Sequence, residues 1–313
     1  MIDGVLNVYK EKGYTSHDVV AKLRGILRQK KIGHTGTLDP EAQGVLPVCL
    51  GKATRLCDML TDKRKTYMAV LLLGRETDTQ DVWGRILKEK RPEECGVDEV
   101  RAAETIMGFV GAYAQIPPMY SALKVNGKKL YELARAGREV VREPRQVTIY
   151  DIEIESLELP RVVMKVCCSK GTYIRTLCHD IGAKLGCGGC MEALTRTRVE
   201  RFCLEESLTL AQIEALKNQG KLEEHIVSIE DMFACYPAGA AVPEADGLVH
   251  NGNPLKAEYV TFVSEEGNRG GKVPECKDGA CLRIYDSRGK FMGIYQWEQA
   301  KMRFKPQKMF LGG

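Results

Sequence analysis

Thr148-Ile149-Tyr150-Asp151-Ile152-Glu153-Ile154-Glu155-Ser156-Leu157-Glu158-Leu159 alternates apolar and polar residues. A period of two is the mark of a half-buried strand, with Tyr150, Ile152 and Ile154 on one face and Asp151, Glu153 and Glu155 on the other. Val162 to Cys168 follows at hairpin distance and reads as the antiparallel partner. The pattern then switches to a helical period: Thr172 opens a helix with Ile174, Leu177, Cys178, Ile181 and Leu185 on its apolar stripe, ending near Gly186. A hairpin feeding a helix predicts an α+β fold with a mixed, mainly antiparallel central sheet flanked by helices, not an alternating parallel one.

Upstream, Gly4 to Tyr9 reads as a strand, and Ser16 as the N-cap of a helix striped by Val19, Val20, Leu23, Ile26 and Leu27. Its opposite side carries Lys22, Arg24, Arg28, Lys30 and Lys31. Lys52 to Leu60 suggests a second helix, Thr66 to Gly74 a buried strand, and Thr77-Asp78-Thr79-Gln80-Asp81 a polar turn. Asp98 is placed to cap a helix with Val100, Ala103, Ile106, Met107 and Val110 as its stripe. Downstream, an acidic stretch from Thr209 to Phe233 reads as helical, and Tyr236-Pro237-Ala238-Gly239-Ala240 as a boundary. Beyond it, Leu282 to Asp286 and Phe291 to Trp297 flank the turn Ser287-Arg288-Gly289, and Lys301, Arg303, Lys305 and Lys308 form a basic tail. This divides the chain into residues 1–237 and a small β-rich module over residues 238–313.

The 313 residues are 44% hydrophobic and 28% charged, the balance of a globular protein with ample core. The longest apolar run, Met68 to Leu73, is too short to span a bilayer, and Met1 to His17 lacks the apolar core of a signal peptide, so the expected location is the cytoplasm, with no membrane partner. There the 12 cysteines are expected to stay reduced. Cys187-Gly-Gly-Cys190 has zinc-like spacing, but Cys276 and Cys281 make a poor second half and the histidines are scattered, so neither a structural nor a catalytic metal is indicated. Net charge is only +4, yet its distribution is uneven: residues 1–65 carry 12 Lys/Arg against 7 Asp/Glu, residues 121–149 carry 7 against 3, and residues 200–235 carry 3 against 8. Separated basic regions can form the positive face of a phosphate-backbone binder.

Gly33-His34-Thr35-Gly36-Thr37-Leu38-Asp39-Pro40-Glu41-Ala42-Gln43-Gly44-Val45-Leu46-Pro47 places three glycines and two prolines around the central carboxylate of Asp39. Glycine opens unusual backbone angles and proline closes others, so the loop is shaped to present Asp39 or to use it as a turn former.

With this loop, Lys65-Thr66-Tyr67, Ile116-Pro117-Pro118-Met119-Tyr120-Ser121-Ala122-Leu123-Lys124, Gly127-Lys128-Lys129-Leu130-Tyr131 and Ser169-Lys170-Gly171-Thr172-Tyr173-Ile174-Arg175-Thr176, the chain strongly resembles the bacterial tRNA pseudouridine-55 synthases, the TruB family. The resemblance runs from Gly4 to about Phe202, and more loosely to the C-terminus. It implies the pseudouridine synthase fold with a C-terminal PUA-like RNA-binding domain, and isomerisation of the T-loop uridine of tRNA without cofactor, metal or guide RNA, by a monomer. By the family pattern Asp39 is the catalytic aspartate, Arg175 its partner, and Tyr67 the residue that stacks on the base and serves as candidate general base. His34 would fill the space of the flipped-out base, Tyr173 and Leu194 would line the pocket, and Lys10 and Arg196 would contact substrate. The insertion at about residues 124–145, with seven cations including Lys124, Lys128 and Lys129, would grip the T arm.

The chemistry fits those roles. Turning an N-glycoside into a C-glycoside breaks the bond from C1′ to N1 and joins C1′ to C5. One ionised carboxylate can begin this at C6, at C1′ or by taking a 2′ proton, and an adjacent guanidinium offsets the cost of holding that charge away from water. The sequence departs from the family pattern at Tyr9-Lys10-Glu11, where Asp-Lys-Pro is frequent, and at Thr195, where arginine is usual. Two other readings are a guide-RNA-dependent synthase, which the 124–145 insertion argues against, and an RNA-folding chaperone whose catalysis is secondary or lost; intact Asp39, Tyr67 and Arg175 argue against loss, and chaperone activity can coexist with catalysis.

Overall fold

The structure, a computed structural model, describes residues 1–61, 63–125, 127–263 and 277–311. Cys276 therefore lies outside the described residues, as does part of the 238–313 module. The larger sheet runs in the order Ile226–Val227, Gly4–Lys10, Gln43–Leu50, Gly189–Val199, Lys65–Leu73, Arg161–Cys168, Arg145–Glu158 and Gly111–Gln115, with Ile32–His34 and Phe202–Cys203 on short side pairings. Among these pairings only Gln43–Leu50 with Gly189–Val199 is parallel, so the sheet is mixed and mainly antiparallel.

Two apolar clusters divide its helices. Ser16–Leu27 packs Val19, Val20, Leu23 and Leu27 with Leu210 and Ile213 of the helix Leu210–Asn218. Ile174–Leu185 and Glu99–Met107 cover the other half of the sheet, burying Ile174, Leu177, Cys178, Ile181, Ala102 and Ile106 against Tyr67, Ala69, Leu71 and Met164. Each fully buried side chain of this size contributes roughly 1.5–3 kcal/mol, so the strands flanking the Asp39 loop are held firmly.

The 148–159 strand and its hairpin partner form as expected, but the alternation does not run through. Ile149 pairs with Cys168 and Asp151 with Cys167, so Tyr150 is the extra residue of a β-bulge. The bulge shifts the facing by one residue: Ile149 and Ile152 enter the core, whereas Tyr150 stands 40% exposed with Arg64 over its ring. Other boundaries shift too. The N-cap of the first helix is Thr15, which forms a capping box with Asp18. Gly51–Leu56 is 3-10 helix, followed by one short α-helix, Cys57–Thr61. The Asp98-capped helix faces the core through Ala102 and Ile106, while Val100, Met107 and Val110 are exposed. Only Leu210–Asn218 of the acidic stretch is α-helical.

The second sheet runs Leu255–Lys256, Arg303–Met309, Phe291–Glu298, Cys281–Tyr285, Ala238–Ala241 and Val260–Val263. It has its own core around Ile284, Tyr295, Trp297 and Phe304. A further cluster joins it to the larger sheet, with Ile294 and Phe310 against Val45, Phe202 and Phe233. Cys187 and Cys190 are buried, and no helix among the described residues is long and apolar enough to cross a membrane.

Candidate active site

The Asp39 loop leaves the short strand Ile32–His34 and re-enters the sheet at Gln43. Three buried polar groups hold it from below. Ser16 Oγ accepts the Leu38 N–H at 3.0 Å, which ties the loop to the first turn of the N-terminal helix. Lys10 Nζ donates to the carbonyls of Pro40 at 3.0 Å and Ala42 at 2.6 Å. Arg196 Nε donates to Val45 O at 2.7 Å and its Nη2 to Gly36 O at 3.2 Å. Gly44 allows that last approach: at φ +107° it lies so close to the facing strand that a Cβ there would sit 2.3 Å from the Arg196 carbonyl oxygen.

Asp39 is thereby held at the surface of the loop, with its side chain 39% exposed, against Arg175, whose side chain is 5% exposed. Arg175 Nε lies 2.8 Å from Asp39 Oδ2 and Nη2 lies 3.3 Å from Oδ1, a two-point contact that fixes the carboxylate plane. The guanidinium is itself fixed: Nη1 donates to Thr79 O at 2.9 Å, Nη2 to Tyr120 O at 2.8 Å, and Asp81 Oδ2 stands 3.8 Å from Nη1. Burial pushes the Asp81 carboxyl up, with the hydrogen bond from Thr79 and the charge of Arg175 opposing it.

Tyr67 faces Arg196 across neighbouring strands and shares a cluster with Leu38, Ala42 and Leu194. Burial pushes its phenol up to about 12, with Arg196 opposing, so the ring is neutral at physiological pH. Tyr173 precedes the Arg175 helix and is clamped by Gln115, which accepts its N–H at 2.7 Å and donates to its carbonyl at 3.0 Å. His34 is half-buried; its Nδ1 accepts the Gly36 N–H at 3.3 Å, and its ring meets that of His17 edge-on at 5.3 Å. Burial, then the charges of His17 and Arg196, lowers its pKa to about 4, so it is a neutral ring at the loop entrance.

The sequence-derived residues thus fall into three groups. Asp39 and Arg175 meet directly, Tyr67 and Leu194 share a cluster with Leu38 of the loop, Tyr173 lies two residues before Arg175, and His34 stands at the loop entrance. Lys10 and Arg196, expected as substrate contacts, are instead fully buried cations that bind loop carbonyls. Burial lowers the Lys10 pKa to about 8. Lys124, Lys128 and Lys129 lie apart on a small hairpin, Lys124–Val125 against Lys128–Lys129, which leads into the helix Leu130–Arg135. This insertion is tied to the site through its base: Tyr131 N–H donates to Ser121 O, one residue from the Tyr120 carbonyl that Arg175 grips. Sequence reasoning missed Ser16 as a loop pin, Gln115, and Thr79 with Asp81. The polar turn 77–81 was the available signal for the last two.

The model of the TruB family pseudouridylate synthase N-terminal domain matches residues 24–174, and that of the tRNA pseudouridylate synthase B C-terminal domain matches residues 175–234. The curated tRNA pseudouridine synthase B of Lachnoclostridium phytofermentans is 50% identical, covering 99% of this chain and 100% of that protein. That of Clostridium perfringens is 42% identical over 99% of each chain. Among solved structures, a Cbf5-Nop10-Gar1 complex superposes with a TM-score of 0.71 at 28% identity, covering 98% of this chain and 85% of that one. An H/ACA RNP bound to a substrate RNA containing 2′-deoxyuridine gives 0.70 at 26% identity, over 99% and 85%.

Proposed function

The chain belongs to the TruB family of pseudouridylate synthases, and from that premise we propose that it converts the T-loop uridine of tRNA, position 55, into pseudouridine. The observation that carries this reading is the two-point grip of buried Arg175 on a half-exposed Asp39, beside a neutral tyrosine wall. A carboxylate with one face fixed and the other open is suited to attack or proton removal on a base brought to it.

The target base must leave the T-loop stack, at a cost of roughly a few kcal/mol. In our reading Tyr67 and Leu194 receive the uracil, and His34, flat and neutral, occupies the gap. Asp39 initiates cleavage of the C1′–N1 bond, and the uracil turns within the pocket until C5 faces C1′. The C5–C1′ bond forms, C5 loses its proton and N1 gains one, so the reaction balances as an isomerisation with no co-reactant. A neutral phenol is a weak base, so we assign C5 proton removal to Tyr67 only as a relay, its oxygen taking the C5 proton as its own hydroxyl proton passes to solvent water. Lys124, Lys128 and Lys129 hold phosphates of the T arm, and the 238–313 module supplies a second RNA contact. The protein works as a monomer in the cytoplasm without a guide RNA.

The test is incubation of the purified protein with an unmodified tRNA transcript, without guide RNA, metal or nucleotide, followed by mapping of pseudouridine at each position. Conversion confined to the T-loop uridine supports the proposal. The Asp39→Asn protein should bind tRNA with near-normal affinity and form no product; comparable product would overturn the role of Asp39.

A further inference from the structure

Trp83 lies at the tip of the hairpin formed by Arg75–Thr77 and Ile86–Glu89, is 46% exposed, and has no part in the chemistry above. Large aromatic side chains are ordinarily buried for the area they cover, so a half-open indole on the turn that contacts Arg175 asks for an explanation.

Its backbone belongs to the site. The Trp83 N–H donates to Asp81 Oδ1 at 3.2 Å, and the other oxygen of that carboxylate faces Arg175, the partner of Asp39. The turn that carries it is stitched to the central sheet, with Val82 N–H donating to Met191 O and Met191 N–H to Gln80 O, and Gln80 accepts from Thr176 beside Arg175. Its ring reaches the Asp39 loop from the other direction. Lys12 Nζ sits 4.9 Å from the indole centroid and 3.6 Å from Glu41 Oε2, two residues after Asp39. Gly13 N–H, next to Lys12, donates to the carbonyl of Pro40. Trp83 thus closes a bridge from the 77–85 turn to the Asp39 loop, with Lys12 on its ring and exposed Arg85 two residues away.

An exposed aromatic flanked by cations is the arrangement that binds single-stranded nucleic acid: the ring stacks on a base and the cations meet the adjoining phosphates. We propose that Trp83 is a stacking platform for a tRNA nucleotide adjoining the target uridine, with Lys12 and Arg85 taking the flanking phosphates. This rests on the tRNA reading above. The platform holds the extruded strand at the mouth of the cleft while Asp39 acts on the uridine inside it.

The chain contains two tryptophans, Trp83 and the buried Trp297, which makes the proposal readable by fluorescence. In wild-type protein, titration with unmodified tRNA should quench the red-shifted emission of the exposed indole and leave the blue-shifted emission of Trp297; a Trp297→Phe protein isolates the same signal. Trp83→Ala should raise KM and Kd for tRNA roughly 5- to 150-fold with kcat little changed, and Trp83→Phe should retain most of the affinity because a ring remains. Three results would overturn the platform: binding without quenching, a Trp83→Ala protein with unaltered KM, or one whose loss falls on kcat alone, which would mark Trp83 as a prop for the Asp39 loop. Product formation by the wild type in the same assay tests the tRNA reading separately, so failure of the platform leaves that reading standing.

Discussion

Replacing Arg175 by lysine keeps the positive charge and removes the fork, which separates geometry from electrostatics at this site. Arg175 makes two contacts to Asp39 and donates to two backbone carbonyls, Thr79 and Tyr120, from a nearly buried position. A lysine ammonium can reach one carboxylate oxygen or one carbonyl of this set, not all of them. Leaving buried carbonyls without donors costs about 1–3 kcal/mol each, and the Asp39 side of the loss is smaller because that carboxylate is partly solvated. A loss of about 2–4 kcal/mol in a unit of this size lowers Tm by roughly 5–15 °C. The catalytic effect should be larger in proportion, because a carboxylate displaced by about 1 Å loses on the order of 100-fold in rate. Stopped aliquots assayed for pseudouridine give kcat and KM, and thermal unfolding gives Tm. We expect kcat to fall at least about 50-fold with KM within about threefold of wild type. An Arg175→Lys protein with wild-type kcat would mean that charge alone suffices, and the argument from the two-point grip would be wrong.

Other consequences can be checked with the same preparations. Gly44→Ala places a Cβ against the Arg196 backbone at a positive φ, so it should destabilise the protein by more than about 2 kcal/mol in urea unfolding, whereas the solvent-facing Gly13→Ala should cost less. His34 has a folded pKa near 4 against 6.5 unfolded, so the unfolded chain binds the extra proton. Its contribution to stability is therefore present above pH 6.5 and fades as pH falls toward 4, and His34→Gln should flatten the unfolding free energy over that window. Replacing Lys128, Lys129 and Arg138 together should weaken tRNA binding chiefly at low salt and reduce the slope of log K against log salt by up to about 2–3. An unchanged slope would remove the insertion from the RNA interface.

The architecture was legible where side-chain pattern and backbone agree. The helix Ile174–Leu185 lies where its stripe and Gly186 place it, because the apolar period and the left-handed stop are both local properties. The strand at 148–159 was visible, but its facing was not, since a bulge at Tyr150 depends on what the neighbouring strand offers. Asp39 and Arg175 could be named from their motifs, yet nothing local connects them: they meet across 136 residues because the sheet places the loop beside the start of the helix. The burial of Lys10 and Arg196 was not legible, because a sequence shows a cation, not its surroundings. Asp81 was hidden in an ordinary turn for the same reason. Its role emerges only when Arg175 is seen between two carboxylates.

That arrangement explains why the site invests three buried cations in one loop. Only Arg175 touches Asp39; Lys10 and Arg196 bind carbonyls on either side of it, at Pro40 and Ala42 and at Gly36 and Val45. A backbone carbonyl accepts a stronger hydrogen bond from a charged donor than from a neutral one, so these two cations fix the loop more firmly than serine or asparagine could. Their charges also act at a distance. Both lie near enough to influence neighbouring groups, Arg196 opposing the rise at Tyr67 and lowering His34, and Asp39 opposing the fall at Lys10. The loop is therefore braced by two buried cations beside its negative reactive group. Substituting Lys10 by methionine separates the two effects, since it removes the charge and the carbonyl contacts but keeps the length of the stem. If the cation serves only to attract RNA, the loss will appear in KM and vanish at high salt; because it binds Pro40 and Ala42, we expect a fall in kcat that salt does not relieve.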